Sequence, residues 1–164
     1  KLIFMLRNPI ERAYSNYLWT KKNKLEQLSF KEAIIKEHER ESEYTGNEKY
    51  SRPYSYISRG IYWKLLQPYF DLFPSENIKI LEMDTFFKNP TSSKIDIFKF
   101  LKVKNINYNY DFNIKINSAN DSAKLIDKED YETLRKIYFP ENQKLYLMLG
   151  KKYPKWDFGW NSCK

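Results

Sequence analysis

The feature that most constrains this chain is an abrupt change of pattern near its start, in the stretch LIFMLRNPIERAYSNYLW, residues 2–19. Five apolar residues without a polar interruption are typical of a strand buried in a parallel sheet. Arg7 ends that run, and Asn8-Pro9 then supplies a helix cap and a first-turn proline. The apolar residues that follow have helical spacing: Ile10, Ala13, Tyr14, Tyr17 and Leu18. A strand, an arginine and a helix therefore follow one another directly.

The rest of the chain predicts more helices than strands. Ser29-Phe-Lys-Glu32 is a capping box, and it starts a helix that we expect to end near Arg40. Residues 78–83 predict a second short strand, and residues 41–53 predict a polar, mobile loop. Further helices are predicted for residues 56–73 despite Pro68, from Pro90 or Thr91 onwards, and for residues 127–149 as one helix or as two that meet at Pro140.

Strands separated by helices predict an α/β protein with three layers, in which helices flank a parallel sheet. Two strong strands are too few for a stable sheet, so we expect further strands upstream of Lys1 in the natural protein. Residues 1–164 are interpreted as a single domain that is truncated at its N-terminus.

Charge and cysteine content narrow the classes of function. Lys and Arg total 29 against 21 Asp and Glu, and this net charge of +8 favours an anionic partner or simply a solvated surface. The single cysteine, Cys163, cannot form an internal disulfide, and no Cys/His cluster suits zinc. We therefore expect a cytoplasmic protein without a metal. No apolar run approaches the roughly 20 residues of a membrane span.

Arg7 and Ser15 are the candidate ligand-binding pair. Ligands of parallel α/β sheets bind beyond the carboxyl ends of the strands, where Arg7 is predicted to lie. Its guanidinium can hold a phosphate through two N–H groups, and the helix start adds a positive dipole. The alternative is that Arg7 pairs with a carboxylate such as Glu11 and that Ser15 is a neutral helix residue. Arg12 is expected to pair with acidic neighbours.

The ordered set of motifs resembles one family. The string RNPIERAYSNY, residues 7–17, is similar to the 3′-phosphate-binding motif of sulfotransferases that use 3′-phosphoadenosine-5′-phosphosulfate (PAPS). Later segments are similar, in the same order, to the heparan-sulfate-type and bacterial sulfotransferase domains. These segments are SRGIY at 58–62, IKILEMDTFFKNP at 78–90, residues 98–103, and YFPENQKLYLMLG at 138–150. The resemblance covers nearly the whole chain.

The resemblance implies the C-terminal portion of a P-loop-NTPase-like sulfotransferase fold and an enzyme of that class. The sulfuryl group would pass from PAPS to a hydroxyl or amine of a small molecule or a carbohydrate. Arg7 and Ser15 would bind the 3′-phosphate of PAPS or of the product 3′,5′-adenosine bisphosphate (PAP). Tyr62, Lys115 and Lys124 are weaker candidates near the nucleotide. A eukaryotic member would be expected in the Golgi lumen.

The resemblance also implies functional parts that this sequence does not supply. The loop that grips the 5′-phosphosulfate and the catalytic base are both expected upstream of Lys1, so no catalytic residue is assigned. His38 lies among Glu37, Glu39 and Arg40 and is interpreted as a solvated helix residue.

Two other functions are weighed against this one. Abundant Tyr and Phe with a net charge of +8 are compatible with a basic nucleic-acid or nucleotide-binding module without catalysis. Because the aromatic residues fall at helical core spacing, we expect no nucleic-acid partner. A kinase-like phosphoryl transferase would need a GxxxxGK[ST] loop, which the sequence lacks. Residues 41–53 are expected to select the acceptor, and the oligomeric state is left open.

Overall fold

The computed structural model describes residues 1–104 and 126–157. Contacts between residues divide it into two compact units. The strand unit contains Lys1–Arg7 together with residues 67–104, and the helical unit contains Asn8–Leu66 together with residues 126–157. None of the helices in these ranges combines the length and the apolar character that crossing a bilayer demands.

The strand unit is built on two parallel strands, β1 (Leu2–Leu6) and β2 (Ile78–Glu82). Leu2 lies opposite Ile78 and Leu6 opposite Glu82, so the two strands pair over their whole length. This pairing confirms both strands that the sequence predicted.

Side chains of the strand unit pack on this strand pair. The ring of Phe4 meets the ring of Tyr69 edge-to-face, with centroids 4.8 Å apart. The remaining elements of this unit are the later part of α5 (Tyr62–Leu72), a short 3₁₀ turn at Ser75–Asn77, α6 (Met83–Lys88) and α7 (Pro90–Leu101).

Burial of β1 differs from the expectation of a fully buried strand. Ile3 and Met5 are 39% and 47% exposed, whereas Leu6 is buried. Successive side chains of a strand point to opposite faces, so an apolar run can be covered on one face only. Within the described residues, one face of β1 is packed and the other is open to solvent.

Two capped helices begin the helical unit, as the sequence predicted. Helix α1 (Pro9–Lys22) starts at Asn8, whose side chain accepts a hydrogen bond of 3.0 Å from the backbone N–H of Ile10. Helix α2 (Phe30–Ile35) starts with both hydrogen bonds of the capping box between Ser29 and Glu32. Both caps satisfy N–H groups that would otherwise lack a partner in the first turn.

The predicted helix from Ser29 to Arg40 is interrupted, which corrects the sequence-based expectation. Helix α2 ends at Ile35, and α3 (Glu37–Ser42) begins after Lys36, whose ψ of 0° leaves helical geometry. The interruption places Ala33 and Ile34 in the apolar core while it also buries Glu37. Residues 41–53 are likewise more ordered than predicted, because they include the end of α3 and a short helix, α4 (Glu48–Ser51).

The last helix, α8 (Lys128–Leu149), is a single helix that contains Pro140. Proline in a helix interior removes one hydrogen bond and costs about 3 kcal/mol. Buried residues on both sides, Tyr138 before Pro140 and Leu145 after it, hold the helix in register. Gly150 ends α8 in the left-handed conformation, with φ 61°, and a 3₁₀ turn follows at Pro154–Trp156.

The core of the helical unit is largely aromatic. Tyr17 of α1 packs against the rings of Phe30 and Tyr56, with centroids 5.0 and 5.9 Å away. The buried members of this cluster are Ile10, Ala13, Tyr17, Phe30, Ala33, Ile34, Tyr56, Tyr131, Leu134 and Tyr138. Helices α1, α2 and α8 and the segment around Tyr56 therefore share one core.

Gly60 lies directly under the side chain of Tyr138. A Cβ atom at Gly60 would lie 2.6 Å from the Tyr138 hydroxyl oxygen and 2.8 Å from the nearest ring carbon. Tyr138 is only 1% exposed, and its hydroxyl donates to the carbonyls of Tyr56 and Ile57. The ring therefore has little room to move, and position 60 requires the absence of a side chain.

We predict that Gly60→Ala lowers the free energy of unfolding by about 1–3 kcal/mol, because the methyl group overpacks the contact with Tyr138. Urea unfolding followed by circular dichroism measures this change.

A Tyr138→Ala background is the control for that prediction. In that background the ring that the new methyl group would contact is absent. The additional loss of unfolding free energy caused by Gly60→Ala should therefore fall below about 1 kcal/mol. An equal cost in both backgrounds would show that the contact with Tyr138 is not the cause.

Candidate functional site

Arg7 lies where the sequence placed it, immediately after β1 and immediately before the cap of α1. Its side chain is half-buried. The guanidinium therefore follows the carboxyl end of a parallel strand, which is the end at which α/β proteins bind ligands.

Ser15 lies in the middle of α1 and is half-buried. Its hydroxyl has no hydrogen-bond partner in the part of the chain that the structure describes. Thr20 in the same helix differs from Ser15, because its hydroxyl donates to the carbonyls of Asn16 and Tyr17 at 3.2 and 2.9 Å. Serine in a helix commonly makes such a bond to the preceding turn. Because the hydroxyl of Ser15 makes no such bond to the described residues, it is available to a ligand.

Among residues 1–104 and 126–157, no carboxylate pairs with Arg12, so that expectation was wrong. Its Nη2 donates to the backbone carbonyl of Tyr56, and its Nε is buried without a partner among the described residues. The same carbonyl accepts from the Tyr138 hydroxyl at 3.2 Å. Arg12 thus connects α1 to the segment of residues 55–60, which we call the anchored loop.

Glu37 holds the anchored loop from the opposite side. Its carboxylate accepts hydrogen bonds from the backbone N–H groups of Ile57 and Ser58 at 2.5 and 2.7 Å. Glu37 is only 4% exposed. Its burial raises the pKa of the carboxyl above the usual range, although the hydrogen bonds from Ser58 and Ile57 oppose that shift. His38, the next residue, is exposed, as expected for a solvated helix residue.

Glu41, one turn after Glu37 on α3, binds side chains of the same loop. Its Oε1 accepts from the hydroxyls of Ser55 and Ser58, the latter at 2.5 Å. It also pairs with Arg52 at 2.9 Å. Burial would raise the pKa of Glu41, but the hydrogen bonds from Ser55, Ser58 and Arg52 outweigh it and lower the pKa. Glu41 is therefore ionised at neutral pH.

Glu26 is buried like Glu37, whereas Glu41 is only partly buried, and the environment of Glu26 differs from that of Glu37. It accepts from the Tyr56 hydroxyl and from Arg40, both at 2.8 Å. The backbone N–H of Leu28 donates to it at 3.0 Å. Burial alone would raise the pKa of Glu26, but the hydrogen bonds from Arg40, Leu28 and Tyr56 lower it below the usual range.

These three glutamates were missed by reasoning from sequence alone. Glu37 and Glu41 are spaced i and i+4, which places two carboxylates on one face of a helix, and this spacing was the available signal. Their burial depends on the interruption at Lys36 and on the path of the anchored loop, and neither is encoded in a local pattern.

Tyr62 begins α5 directly after the anchored loop and is buried. Its ring packs against Trp156, with centroids 5.9 Å apart. Lys115 and Lys124 lie outside the described residues, so the structure does not place them. Across residues 1–104 and 126–157, no group of three or more His, Cys, Asp or Glu side chains is arranged to hold a metal ion.

The chain belongs to the sulfotransferase domain family, because the model of that family matches residues 1–146. Carbohydrate sulfotransferase 15 from Nototodarus sloanii is 33% identical over 94 residues, which cover 52% of this chain and 58% of that protein. The crystal structure of a sulfotransferase from Alicyclobacillus acidocaldarius superposes with a TM-score of 0.79 at 25% identity. That superposition covers 96% of this chain and 57% of the other. The predicted α/β sulfotransferase fold is confirmed, and the chain spans less than two thirds of each relative.

The opposite pKa shifts of Glu37 and Glu26 predict opposite pH dependences of stability. The pKa of Glu37 is raised in the folded protein. The contribution of Glu37 to the free energy of unfolding is therefore full at pH values below about 4.3, the pKa of a glutamate in the unfolded chain. It is lost as the pH rises through the pKa of Glu37 in the folded protein. The difference in unfolding free energy between the parent protein and Glu37→Gln should therefore decrease as pH rises from 4 to 7. Urea unfolding at a series of pH values measures it.

Glu26→Gln is the matched control, since it removes one buried carboxylate of the same core. The pKa of Glu26 is lowered in the folded protein. The contribution of Glu26 to the free energy of unfolding is therefore present above about pH 4.3 and is lost as the pH falls through its pKa in the folded protein. The parent protein should lose its advantage over Glu26→Gln on acidification. Slopes of the same sign for both variants would contradict this assignment.

Proposed function

We propose that the protein is a sulfotransferase that moves a sulfuryl group from PAPS to a hydroxyl or amine of a carbohydrate acceptor. Membership of the sulfotransferase domain family supports the class of reaction. The single observation that carries the proposal is the position of Arg7, between a parallel strand and a capped helix, within the string that resembles the 3′-phosphate motif.

The residues of this chain fit an anionic nucleotide. Arg7 offers a planar fork of N–H donors, which matches the oxygens of a phosphate better than a lysine does. Ser15 adds a hydroxyl that no described residue uses. Arg12 is occupied by the carbonyl of Tyr56, which separates its role from that of Arg7. We assign Arg7 and Ser15 to the 3′-phosphate, and Tyr62, Lys115 and Lys124 stay secondary candidates.

PAPS would supply the sulfuryl group, and the residues assigned here would bind and orient the nucleotide. A phosphate held by a guanidinium and a hydroxyl is fixed in position, and fixed reactants react faster than freely diffusing ones. Discrimination between nucleotides would follow as well, because a nucleotide that lacks the 3′-phosphate cannot accept these hydrogen bonds from Arg7 and Ser15.

One of the two relatives favours a carbohydrate as the acceptor. The relative from Nototodarus sloanii is named a carbohydrate sulfotransferase. The net charge of +8 also suits a sugar that already carries negative groups. Transfer of radiolabelled sulfate from PAPS to a panel of glycans, alcohols and amines tests this part directly. Labelling of alcohols or amines without labelling of any glycan would exclude a carbohydrate acceptor.

We predict that Arg7→Ala weakens the binding of PAP by about 10- to 150-fold, or about 1.5–3 kcal/mol, because a charged hydrogen-bonded contact is lost. The binding of 5′-AMP should change little, since it has no 3′-phosphate. Calorimetric titration with the two nucleotides measures both effects.

Ser15→Ala and Arg135→Ala complete that experiment. Ser15→Ala should also weaken the binding of PAP but not that of 5′-AMP. Arg135→Ala is the control, because Arg135 pairs with Glu132 on α8 and lies outside the motif. Equal losses for PAP and 5′-AMP in Arg7→Ala would overturn the assignment. Salt-sensitive binding of single-stranded nucleic acid without PAP binding would instead favour the basic binding module.

A further inference from the structure

The segment between α3 and the anchored loop borders an open surface cavity that the proposed nucleotide contacts do not use. Its volume is about 380 Å³, and it lies wholly within the helical unit. The residues that line it are Glu41, Ser42, Tyr44, Lys49 and Arg52. A volume of this order falls within the range of small-ligand pockets.

Arg52 holds a strained backbone conformation at the edge of this cavity. Its φ of 44° and ψ of 60° are left-handed, and such a conformation is unfavourable for a residue other than glycine. Its Nη2 is fixed by Glu41 at 2.9 Å and by the Ser58 hydroxyl at 2.8 Å. Strain at a rigidly held charged residue is common at binding sites.

Arg59 does not line the cavity, but its guanidinium lies close enough to Arg52 for their charges to interact. Its Nη1 lies 3.4 Å from the backbone carbonyl of Ser51, the residue before Arg52. Burial, and then the positive charges of Arg12 and Arg52, lower its pKa. In residues 1–104 and 126–157, no carboxylate pairs with Arg59. Glu41 neutralises Arg52, whereas Arg59 has no such partner, and a bound anion would relieve the electrostatic cost of placing Arg59 beside another guanidinium.

The charges around the cavity do not balance. Glu41 is ionised and neutralises Arg52 through their salt bridge. Lys49 has no carboxylate partner among the described residues, so the residues that line the cavity carry one more positive than negative charge. Arg59, beside Arg52, adds a further positive charge without a carboxylate partner among the described residues. Tyr50, between Lys49 and Arg52 in the chain, is 88% exposed and presents an aromatic ring to solvent. An exposed tyrosine beside free donors suits a polar ligand that also has an apolar face.

We propose that this basic pocket, lined by Lys49 and Arg52 and supplemented by Arg59 beside Arg52, binds an anionic group of the acceptor glycan. The group would be a carboxylate or a sulfate ester, both of which accept hydrogen bonds from guanidinium and ammonium donors. This inference rests on the proposed function and specifies its acceptor. Lys49 and Arg59 determine the specificity, whereas Arg52 is held in place by the anchored loop.

The test uses the double variant Lys49→Gln/Arg59→Gln, because neither side chain anchors the loop as Arg52 does. The probes are a hyaluronan hexasaccharide with carboxylates only, the same hexasaccharide after chemical sulfation, and a neutral hexamer of N-acetylglucosamine. Calorimetry measures their affinities and that of PAP. We expect both anionic probes to bind the parent protein more tightly than the neutral one, and the double variant to bind them about tenfold or more weakly.

Arg135→Gln is the matched control for removal of positive charge elsewhere on the helical unit, and it should leave all affinities nearly unchanged.

A larger loss of affinity for the sulfated probe than for hyaluronan would identify the sulfate ester as the preferred group, and the reverse would identify the carboxylate. Unchanged affinity of the double variant for both anionic probes, with PAP still bound, would overturn this inference alone. Failure of the parent protein to bind PAP would overturn the proposed function and this inference with it.

Discussion

The carboxylate of Glu37, buried against the backbone of residues 57 and 58, is the interaction on which the helical unit depends. It satisfies two N–H groups that have left regular structure, and unsatisfied buried N–H groups are costly. The carbonyls of Tyr56 and Ile57 are satisfied from the other side by Arg12 and Tyr138. The anchored loop is therefore fixed on both sides by side chains from three different helices.

That arrangement assigns different roles to the arginines of the opening motif. Arg12 holds the anchored loop, so it acts on the fold, while Arg7 follows the strand and is proposed to hold the nucleotide. The loop in turn carries Ser58, whose hydroxyl joins Glu41 and Arg52. Through these bonds, one buried network connects the core of the unit to the basic pocket. Rigid support of this kind is what a binding site needs if its charged groups are to stay in position.

The two buried glutamates have opposite pKa shifts because their hydrogen-bond partners differ. Glu26 is surrounded by an arginine, a tyrosine hydroxyl and a backbone N–H, and these donors compensate its burial. Glu37 has backbone donors but no cation in a salt bridge among the described residues, and burial dominates. Charges are tolerated in an interior where their partners outweigh the loss of hydration. Both glutamates are part of the fold, and neither was visible as such in the local pattern.

The sequence by itself determined the local elements and their starting points. The strands, the caps at Asn8 and Ser29, the glycine stop at Gly150 and the position of Arg7 all follow from interactions within a few residues along the chain. Only the tertiary structure decided the interruption at Lys36, the continuity of α8 through Pro140, the pairing of Arg12 with a carbonyl and the burial of Glu37. Each of these depends on groups distant in sequence: the core offsets the cost of Pro140, and the N–H groups of the anchored loop offset part of the desolvation of Glu37. Such compensation exists only once the chain has folded.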